Sequence, residues 1–180
     1  MSDYSDPPVQ LVITPPRMFG AAFAEHFQFR MTVGVLIQLV VEAQRRIIIT
    51  APFLQSGYGL SNGPIADATQ AALKRGVNVD IMSTGRSLGN IDRAWLTQQA
   101  QGNLRLFRPA ANVEDEERLG SHAKFCVADG ERAYIGSANL TGPGLSEHLE
   151  MGLLVKNQIA KQVEEMWQYS IETGLFLETL

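Results

Sequence analysis

The sequence contains 180 residues, of which 45% are hydrophobic and 19% are charged. These values are ordinary for a globular protein with one buried core, and they exclude extensive disorder and collagen-like architectures. The longest apolar run covers residues 32–37, whereas a membrane span needs about 20 apolar residues. The single cysteine, Cys126, excludes an intrachain disulfide and a multi-cysteine zinc site. Because the N-terminus also lacks the features of a signal peptide, we expect a cytoplasmic protein without integral membrane association.

Acidic residues outnumber basic ones, with 19 Asp and Glu against 15 Lys and Arg, so that the net charge is −4. Proteins that hold nucleic acid by electrostatics alone usually carry a surplus of basic residues. Any function in handling phosphate groups is therefore expected to depend on a local site or on a partner protein.

Residues 1–20 are predicted to form a loose leader, and residues 21–180 a single domain. Four prolines interrupt the leader, although residues 10–14 could form a short strand. From Phe19 to about Arg46 the pattern is mostly helical, with a kink or break expected near Gly34.

Strands and helices then alternate along the chain. The run at 46–50 (RIIIT) predicts a strand buried on both faces, and further strands are predicted at 77–81 and 104–107. Helices are expected between them, one from Asn62 to a glycine cap at Gly76 and one over residues 90–101. This alternation predicts an α/β fold in which helices pack against a sheet.

An acidic run, residues 114–117, interrupts this alternation. It is interpreted as part of a solvated loop, with an acidic flap that repels anions from a nearby site as the alternative. Residues 121–128 and 132–138 then predict two strands joined by a tight Asp129-Gly130 turn. A strand over 150–156 follows, and the last element is a helix from about Asn157 with an apolar stripe formed by Ile159, Val163, Met166, Trp167 and Ile171.

The predicted hairpin carries the residues with the most informative chemistry. His122 and Lys124 are two residues apart on a predicted strand, so their side chains are expected on the same face. Residues 136–139 (GSAN) lie where the returning strand ends. An imidazole can attack phosphorus, and Lys and Asn can donate hydrogen bonds to phosphate oxygens, so the set favours phosphoryl chemistry.

The spacing His122-x-Lys124-x₄-Asp129-x₆-Gly136-Ser137-x-Asn139 resembles, position for position, the HKD signature of the phospholipase D superfamily. Glu150 stands where that family often has a further acidic residue. The similarity extends over about residues 45–170. It implies the phospholipase D-like α-β-α sandwich, in which helices flank a mixed central sheet.

The resemblance implies a two-step displacement that needs no metal and no other cofactor. One histidine attacks the phosphodiester and forms a phosphohistidine, while a second histidine protonates the leaving oxygen and then activates water. The family needs two HKD motifs at one site, and neither His26 nor His148 belongs to a second motif. We therefore expect a homodimer in which His122 and Lys124 from both subunits meet at a two-fold axis.

The resemblance assigns a catalytic set and a phosphate-binding set. The catalytic set is His122, Lys124, Asp129 and Glu150. His122 is the nucleophile in one subunit and the acid/base in the other, Asp129 is a brace of the turn, and Glu150 is the group that orients His122. An exposed edge charge is the alternative for Glu150. The residues expected to bind phosphate are Gly136, through close approach of its backbone, and Lys124, Ser137 and Asn139, through hydrogen bonds.

Three residues near the motif have less specific interpretations. Cys126 is either a redox-sensitive neighbour of His122 or, as favoured here, a buried inert thiol. Arg86, after the second strand, either contacts substrate phosphate or is a solvated loop residue. His148 is predicted to be a bystander.

Short bacterial members of the superfamily with a single motif resemble dimeric nucleases. We therefore predict a metal-independent phosphodiesterase that cleaves nucleic acid, DNA rather than RNA. The alternatives are a non-catalytic accessory subunit that binds phosphate, and a phospholipid phosphodiesterase. Residues 119–124 (LGSHAK) and 136–145 (GSANLTGPGL) further resemble a subgroup, the phospholipase D-like component DrmC of DISARM phage-defence systems. That resemblance implies defence-system partner proteins.

Overall fold

A computed structural model describes residues 7–110 and 120–179. The acidic run at 114–117 lies outside the described residues. The strands in the described residues are β1 (Val9–Thr14), β2 (Arg30–Met31), β3 (Arg46–Thr50), β4 (Asn78–Met82), β5 (Leu104–Pro109), β6 (Lys124–Ala128), β7 (Arg132–Gly136), β8 (Glu150–Lys156) and β9 (Phe176–Thr179). The helices are α1 (Gly20–His26), α2 (Thr32–Glu42), α3 (Pro64–Lys74), α4 (Gly85–Leu88), α5 (Arg93–Leu96), α6 (Gly142–Ser146) and α7 (Gln158–Glu172).

The strands form one mixed sheet with the order β2-β1-β8-β7-β6-β3-β4-β5-β9. The predicted strand–helix–strand alternation gives the parallel part, β3-β4-β5, in the register Arg46↔Asn78 and Val79↔Leu104. Strands β6, β7 and β8 are antiparallel to one another, and β6 is antiparallel to β3. The expectation of a mixed sheet is therefore confirmed.

Helices cover both faces of the sheet and account for the burial of β3. On one face α2 and α3 pack against Ile47, Ile49 and their neighbours, and on the other α7 packs around Trp167. The Trp167 ring meets the Phe107 ring edge-on at 5.1 Å between centroids. Ile47 and Ile48 point to opposite faces and are both fully buried, as expected for a strand between two helical layers. The α-β-α sandwich is confirmed.

Six details of the predicted elements are corrected. Helix α7 is not the last element, because β9 follows it and pairs with β5. Residues 9–14 are part of the sheet rather than a loose leader, because β1 pairs with β8 over six positions. The helical break is at residues 27–31, and α2 runs through Gly34 without interruption. The helix expected over 90–101 is reduced to α5, which Asp92 caps. Strand β6 begins at residue 124 rather than 121. Two residues of the predicted apolar stripe of α7, Ile159 and Met166, are exposed.

The burial of Asp80 could not be predicted from the pattern of its own strand. Its alternation with apolar neighbours is typical of a half-exposed strand, yet its side chain is fully buried. The carboxylate is paired with the guanidinium groups of Arg46 and Arg105, and the Trp167 indole donates to it at 3.3 Å. Burial of a charge is tolerated here because both oxygens have charged hydrogen-bond partners from neighbouring strands.

Candidate functional site

The candidate site lies at the open end of the β6–β7 hairpin, opposite its turn. Lys124 and Gly136 are paired across the two strands at this end. His122 precedes β6, so it is not on a strand as expected, but the structure still brings it to Lys124. The Lys124 Nζ lies 3.0 Å from His122 Nδ1 and 2.9 Å from the His122 carbonyl oxygen. The ammonium group therefore holds both the ring and the backbone of His122.

The contrast in exposure between these two residues suits their expected roles. His122 is exposed, whereas Lys124 is 6% exposed. Burial lowers the pKa of the Lys124 ammonium from its ordinary value, and the negative charge of Glu150 opposes this shift. A buried ammonium is held in one place, and an exposed imidazole beside it can reach a substrate atom.

One residue of β3 and one residue of the loop after β3 contact the segment of residues 122–125 and help to position it. The Thr50 hydroxyl donates to the Ala123 carbonyl at 3.4 Å and accepts from the Phe125 amide at 3.2 Å, so it bridges the backbone on both sides of Lys124. The Phe53 ring meets the His122 ring edge-on, with 6.3 Å between centroids. The sequence analysis missed both residues, because their proximity arises from the long-range pairing of β3 with β6.

Ser137 and Glu150 form a second pair at the same end of the sheet. The Ser137 hydroxyl donates to the Glu150 carboxylate and accepts from the Met151 amide at 3.1 Å. The bond that the structure gives to Glu150 is thus to Ser137, and its predicted role in orienting His122 stays a prediction. Ser137 directly follows Gly136, the cross-strand partner of Lys124, so the two pairs lie at the same end of the sheet.

Asn139 borders an open cleft of about 410 Å³ beside these pairs. The side-chain oxygen of Asn139 is buried and has no hydrogen-bond partner in the described part of the chain. The other lining residues are Phe53, Leu54, Gln55, Thr141, Pro143, Gly144, His148 and Glu150. His148, expected to be a bystander, thus shares the cleft with Asn139 and Glu150.

Gly136 is required by its own neighbours. A Cβ atom added there would overlap the Tyr134 hydroxyl and lie 2.5 Å from Cζ of the same ring. A Cβ atom added at Gly152, the partner of Gly136 on β8, would also lie 2.5 Å from an atom of the Tyr134 ring. The glycine therefore admits the Tyr134 ring, whereas an approach of its backbone to phosphate stays a prediction.

Asp129 is not brought to the other residues of the motif. It lies at the turn of the hairpin, five residues along β6 from Lys124, which is roughly 17 Å in an extended strand. Its carboxylate accepts from three consecutive backbone amides, those of Gln44, Arg45 and Arg46, at 2.8–2.9 Å. The contacts of Asp129 are therefore those of a brace between the hairpin turn and the start of β3.

The two remaining residues with open interpretations differ in exposure. Cys126 is 1% exposed, and burial raises the pKa of its thiol, as expected for an inert core residue. Arg86 is exposed but lies in α4 rather than in a loop, and its contact with substrate phosphate stays a prediction. Within residues 7–110 and 120–179, no cluster of three His, Cys, Asp or Glu side chains has a geometry for a metal ion. In the same ranges no helix is both long and apolar enough to cross a bilayer.

Comparison with known proteins agrees with this geometry. A sequence model of the family described as "Cardiolipin synthase, PLD-like domain" matches residues 36–170. The chain therefore belongs to the phospholipase D-like family.

Sequence relatives include a DISARM protein DrmC from Bacillus paralicheniformis, 29% identical over 136 residues that cover 71% of this chain. A cardiolipin synthase from Clostridium perfringens is 29% identical over 117 residues, 64% of this chain. The chain spans about half of the former relative (51%) and about a quarter of the latter (24%).

Solved structures with the same fold include the phospholipase D family member Nuc from Salmonella typhimurium. It has a TM-score of 0.61 and 21% identity, and the match covers 95% of this chain and 97% of Nuc. NucT from Helicobacter pylori has a TM-score of 0.65 and 15% identity, with 94% and 98% covered. The phosphatidylserine synthase of Haemophilus influenzae has a TM-score of 0.67 and 14% identity, but only 41% of that longer chain is covered.

Proposed function

We propose that the chain is a phosphodiesterase that cleaves nucleic acid through a phosphohistidine at His122, in a site completed by a second copy of the chain. The observation that carries this proposal is the contact between the Lys124 ammonium and the exposed His122 imidazole at 3.0 Å. A nucleophile beside a fixed cation is the arrangement needed to attack a negatively charged phosphodiester.

In the first step a ring nitrogen of His122 forms a bond to phosphorus, and the bond from phosphorus to the leaving oxygen breaks. The imidazole of the second copy donates its proton to that oxygen, which leaves as an alcohol. In the second step the same imidazole takes a proton from water, the hydroxide forms a P–O bond, and the P–N bond breaks. Protons and electron pairs balance over the two steps, and both imidazoles return to their starting forms.

Lys124, Ser137 and Asn139 are the donors that we assign to the phosphate oxygens. Lys124 contributes a charge-assisted hydrogen bond, and its position is restricted by its contact with the His122 carbonyl. Asn139 borders the cleft, where its amide can donate. Glu150 would orient an imidazole, and Asp129 would act from a distance by bracing the hairpin.

The need for a second copy follows from the number of HKD motifs, because His148, although it lines the cleft, does not belong to one. The mechanism uses one imidazole as nucleophile and another as acid, and the described chain presents one HKD motif. A two-fold axis at the open end of the hairpin would supply a second His122 and a second Lys124.

Nucleic acid is the substrate that the comparisons favour. The chain aligns with nearly the full length of Nuc and NucT, whereas it covers 41% of the phosphatidylserine synthase. We infer that DNA is preferred over RNA, and that the similarity to DrmC reflects action beside other proteins in phage defence. Such partners would supply the affinity for DNA that a net charge of −4 does not.

The test is an incubation of the purified protein with labelled single-stranded DNA, duplex DNA and RNA, in EDTA at low salt. The variants are His122→Ala and, as a matched control at an exposed histidine outside the site, His26→Ala. Cleavage that persists in EDTA and in His26→Ala but is lost in His122→Ala is the expected result. Trapping of labelled phosphate on the wild-type chain, stable to alkali and absent in His122→Ala, would identify the phosphohistidine.

A second candidate function, cleavage of a phospholipid, is favoured by the similarity to cardiolipin synthase. The same proteins incubated with phosphatidylglycerol or cardiolipin vesicles distinguish it from nuclease activity. If neither class of substrate is cleaved and phosphate-bearing ligands still bind, the accessory-subunit alternative is favoured over both enzymes.

A further inference from the structure

The ring of Phe53 forms an apolar wall of the cleft, next to the proposed nucleophile. Phe53 is half-buried and borders the same cleft as Asn139. Its edge-to-face contact with His122, at 6.3 Å between centroids, involves the face of only one of the two rings. At least one face of the Phe53 ring therefore lies outside this contact. A flat group bonded to the phosphate under attack can lie against that face.

The backbone on both sides of Phe53 is fixed by hydrogen bonds. The Pro52 carbonyl accepts from the Ser83 hydroxyl at 3.0 Å, and the Leu54 carbonyl accepts from the Asn90 side-chain amide at 3.0 Å. A side chain that is already held in place before a ligand arrives loses little conformational freedom when the ligand binds. The Phe53 ring is thus presented as a preformed surface beside His122.

The rest of the cleft favours a nucleobase over an acyl chain. Most of the other lining residues in the described part of the chain are polar or charged, namely Gln55, Asn139, Thr141, His148 and Glu150. An acyl chain would remove these groups from water without giving them hydrogen-bond partners. A nucleobase is apolar on its faces and polar at its edges, so it can stack on the ring and form hydrogen bonds with this polar wall.

Stacking also supplies affinity that the overall charge does not. With a net charge of −4, the general attraction of the chain to a phosphate backbone is weak. Stacking of a base on an aromatic side chain does not require a positive net charge, and its loss lowers affinity by roughly 5- to 150-fold per base.

We propose that Phe53 is a specificity residue that stacks on the nucleobase next to the phosphate at His122, with the edge of that base against the polar wall of the cleft. This inference rests on the proposed function, in which a phosphodiester of nucleic acid lies at His122. A paired base is enclosed between its neighbours in the duplex, so the base that Phe53 receives is unpaired. The ligand class is a nucleotide chain with unpaired bases.

The test compares two labelled oligomers of equal length and charge, an oligothymidylate and an oligomer of abasic tetrahydrofuran nucleotides. Because their charges are equal, a difference in kcat/KM between them reports on the bases. The variants are Phe53→Leu, which removes the aromatic face, and Phe53→Tyr, which keeps it. Tyr169→Leu is the matched control at an exposed aromatic residue of α7. Circular dichroism verifies that each variant is folded.

We expect wild type, Phe53→Tyr and Tyr169→Leu to have a kcat/KM at least about fivefold higher for oligothymidylate than for the abasic oligomer. Phe53→Leu should lose this preference, because only its rate on oligothymidylate falls. The Phe53 ring also contacts His122, and a variant that merely misplaced His122 would be impaired equally on both oligomers. An equal fall on both oligomers, or a wild type without a preference, overturns the proposal.

Equilibrium binding separates this inference from the proposed function. Fluorescence anisotropy measures binding of both oligomers to His122→Ala and to the double variant His122→Ala with Phe53→Leu. If wild type cleaves neither oligomer, the proposed nuclease function fails, and binding still decides the inference. A preference for oligothymidylate in His122→Ala that the double variant lacks supports stacking on Phe53, whereas equal binding of the two oligomers overturns it.

A lipid ligand would give a different pattern. Phosphatidylglycerol vesicles are incubated with wild type, Phe53→Leu and Phe53→Tyr. If Phe53→Leu loses cleavage of these vesicles while its kcat/KM for both oligomers equals that of wild type, the ring contacts lipid and the proposal is overturned.

Discussion

The role of Asp129 can be tested by removing its carboxylate without disturbing the hairpin turn. Asp129 has φ 55° and Gly130 has φ 69°, the left-handed pair of a tight hairpin turn. Asn and Gly both tolerate this conformation, whereas Ala would add strain. Asp129→Asn and Asp129→Gly are therefore the informative substitutions.

The contacts of Asp129 determine the size of the effect. One carboxylate oxygen accepts from the Arg45 and Arg46 amides, and the other accepts from the Gln44 amide. At about 1 kcal/mol for each hydrogen bond, Asp129→Gly loses about 3 kcal/mol of the free energy of unfolding. Asp129→Asn can keep the oxygen that accepts two bonds and loses about 1 kcal/mol. In a domain of this size the glycine variant should have a Tm lower by roughly 6–12 °C.

The assay combines urea denaturation with activity per folded molecule, measured well below the lowest Tm. Asp92→Ala is the reference for one lost hydrogen bond. As the N-cap of α5, the Asp92 carboxylate accepts one hydrogen bond from the Trp95 amide, at 2.9 Å, and the loss of such a cap costs about 1 kcal/mol of stability. We expect wild type to be the most stable, Asp129→Asn to be less stable and Asp129→Gly to be the least stable, with little change in kcat. A loss of kcat of about 100-fold at unchanged stability would refute the bracing role and place Asp129 in the chemistry.

Three further predictions concern the site itself. Burial lowers the pKa of the Lys124 ammonium, so near its ordinary value of 10.5 the unfolded chain binds more protons at this residue, and the contribution of Lys124 to stability rises with pH. The buried core thiol and the Tyr134 hydroxyl, whose pKa values burial raises, contribute the opposite slope, so the effect of Lys124 is a difference between variants. Urea denaturation should give Lys124→Met a more negative slope of stability against pH than wild type and the exposed control Lys161→Met. Gly136→Ala should lose at least about 2 kcal/mol of stability by the same assay, because the new methyl group overlaps Tyr134. His148→Ala should raise KM about fivefold or more in steady-state kinetics with kcat little changed, since His148 lines the cleft; an unchanged KM would make it the bystander first predicted.

Much of the fold could be predicted because the relevant signals are local. The apolar run at 46–50, the alternation at 77–81 and the glycine after α3 each identify an element without reference to the rest of the chain. The predictions that were wrong concern the position of the helical break, the extent of the helix expected over 90–101, element ends and the exposure of two residues of α7. The burial of one residue was not predicted at all. Asp80 has the pattern of a half-exposed strand, but helices on both faces of the sheet bury it, and two arginines from neighbouring strands compensate its charge.

The candidate site could be predicted as a set of residues but not as an arrangement. The motif spacing identified His122, Lys124, Ser137 and Asn139 as a set, and the structure places them at one end of one hairpin. The Asp129-Gly130 turn signal also predicted that Asp129 lies at the turn, away from these residues, but no local pattern showed that Phe53 and Thr50 support the His122 segment. Those relations depend on the pairing of β6 with β3, whose residues are more than 70 positions apart in the chain.

The sequence by itself determined the longer strands and helices between residues 46 and 172 and the chemical groups available, because backbone periodicity and turn chemistry act over a few residues. Only the tertiary structure decided which strand ends meet, which charge is buried and which apolar face is left open. The physical reason is that sheet order and register arise from packing between distant segments, which no local pattern encodes. Ile135 and Leu153 are exposed because α7 crosses β7 and β8 at Ala133 and Val155 and leaves these two residues uncovered.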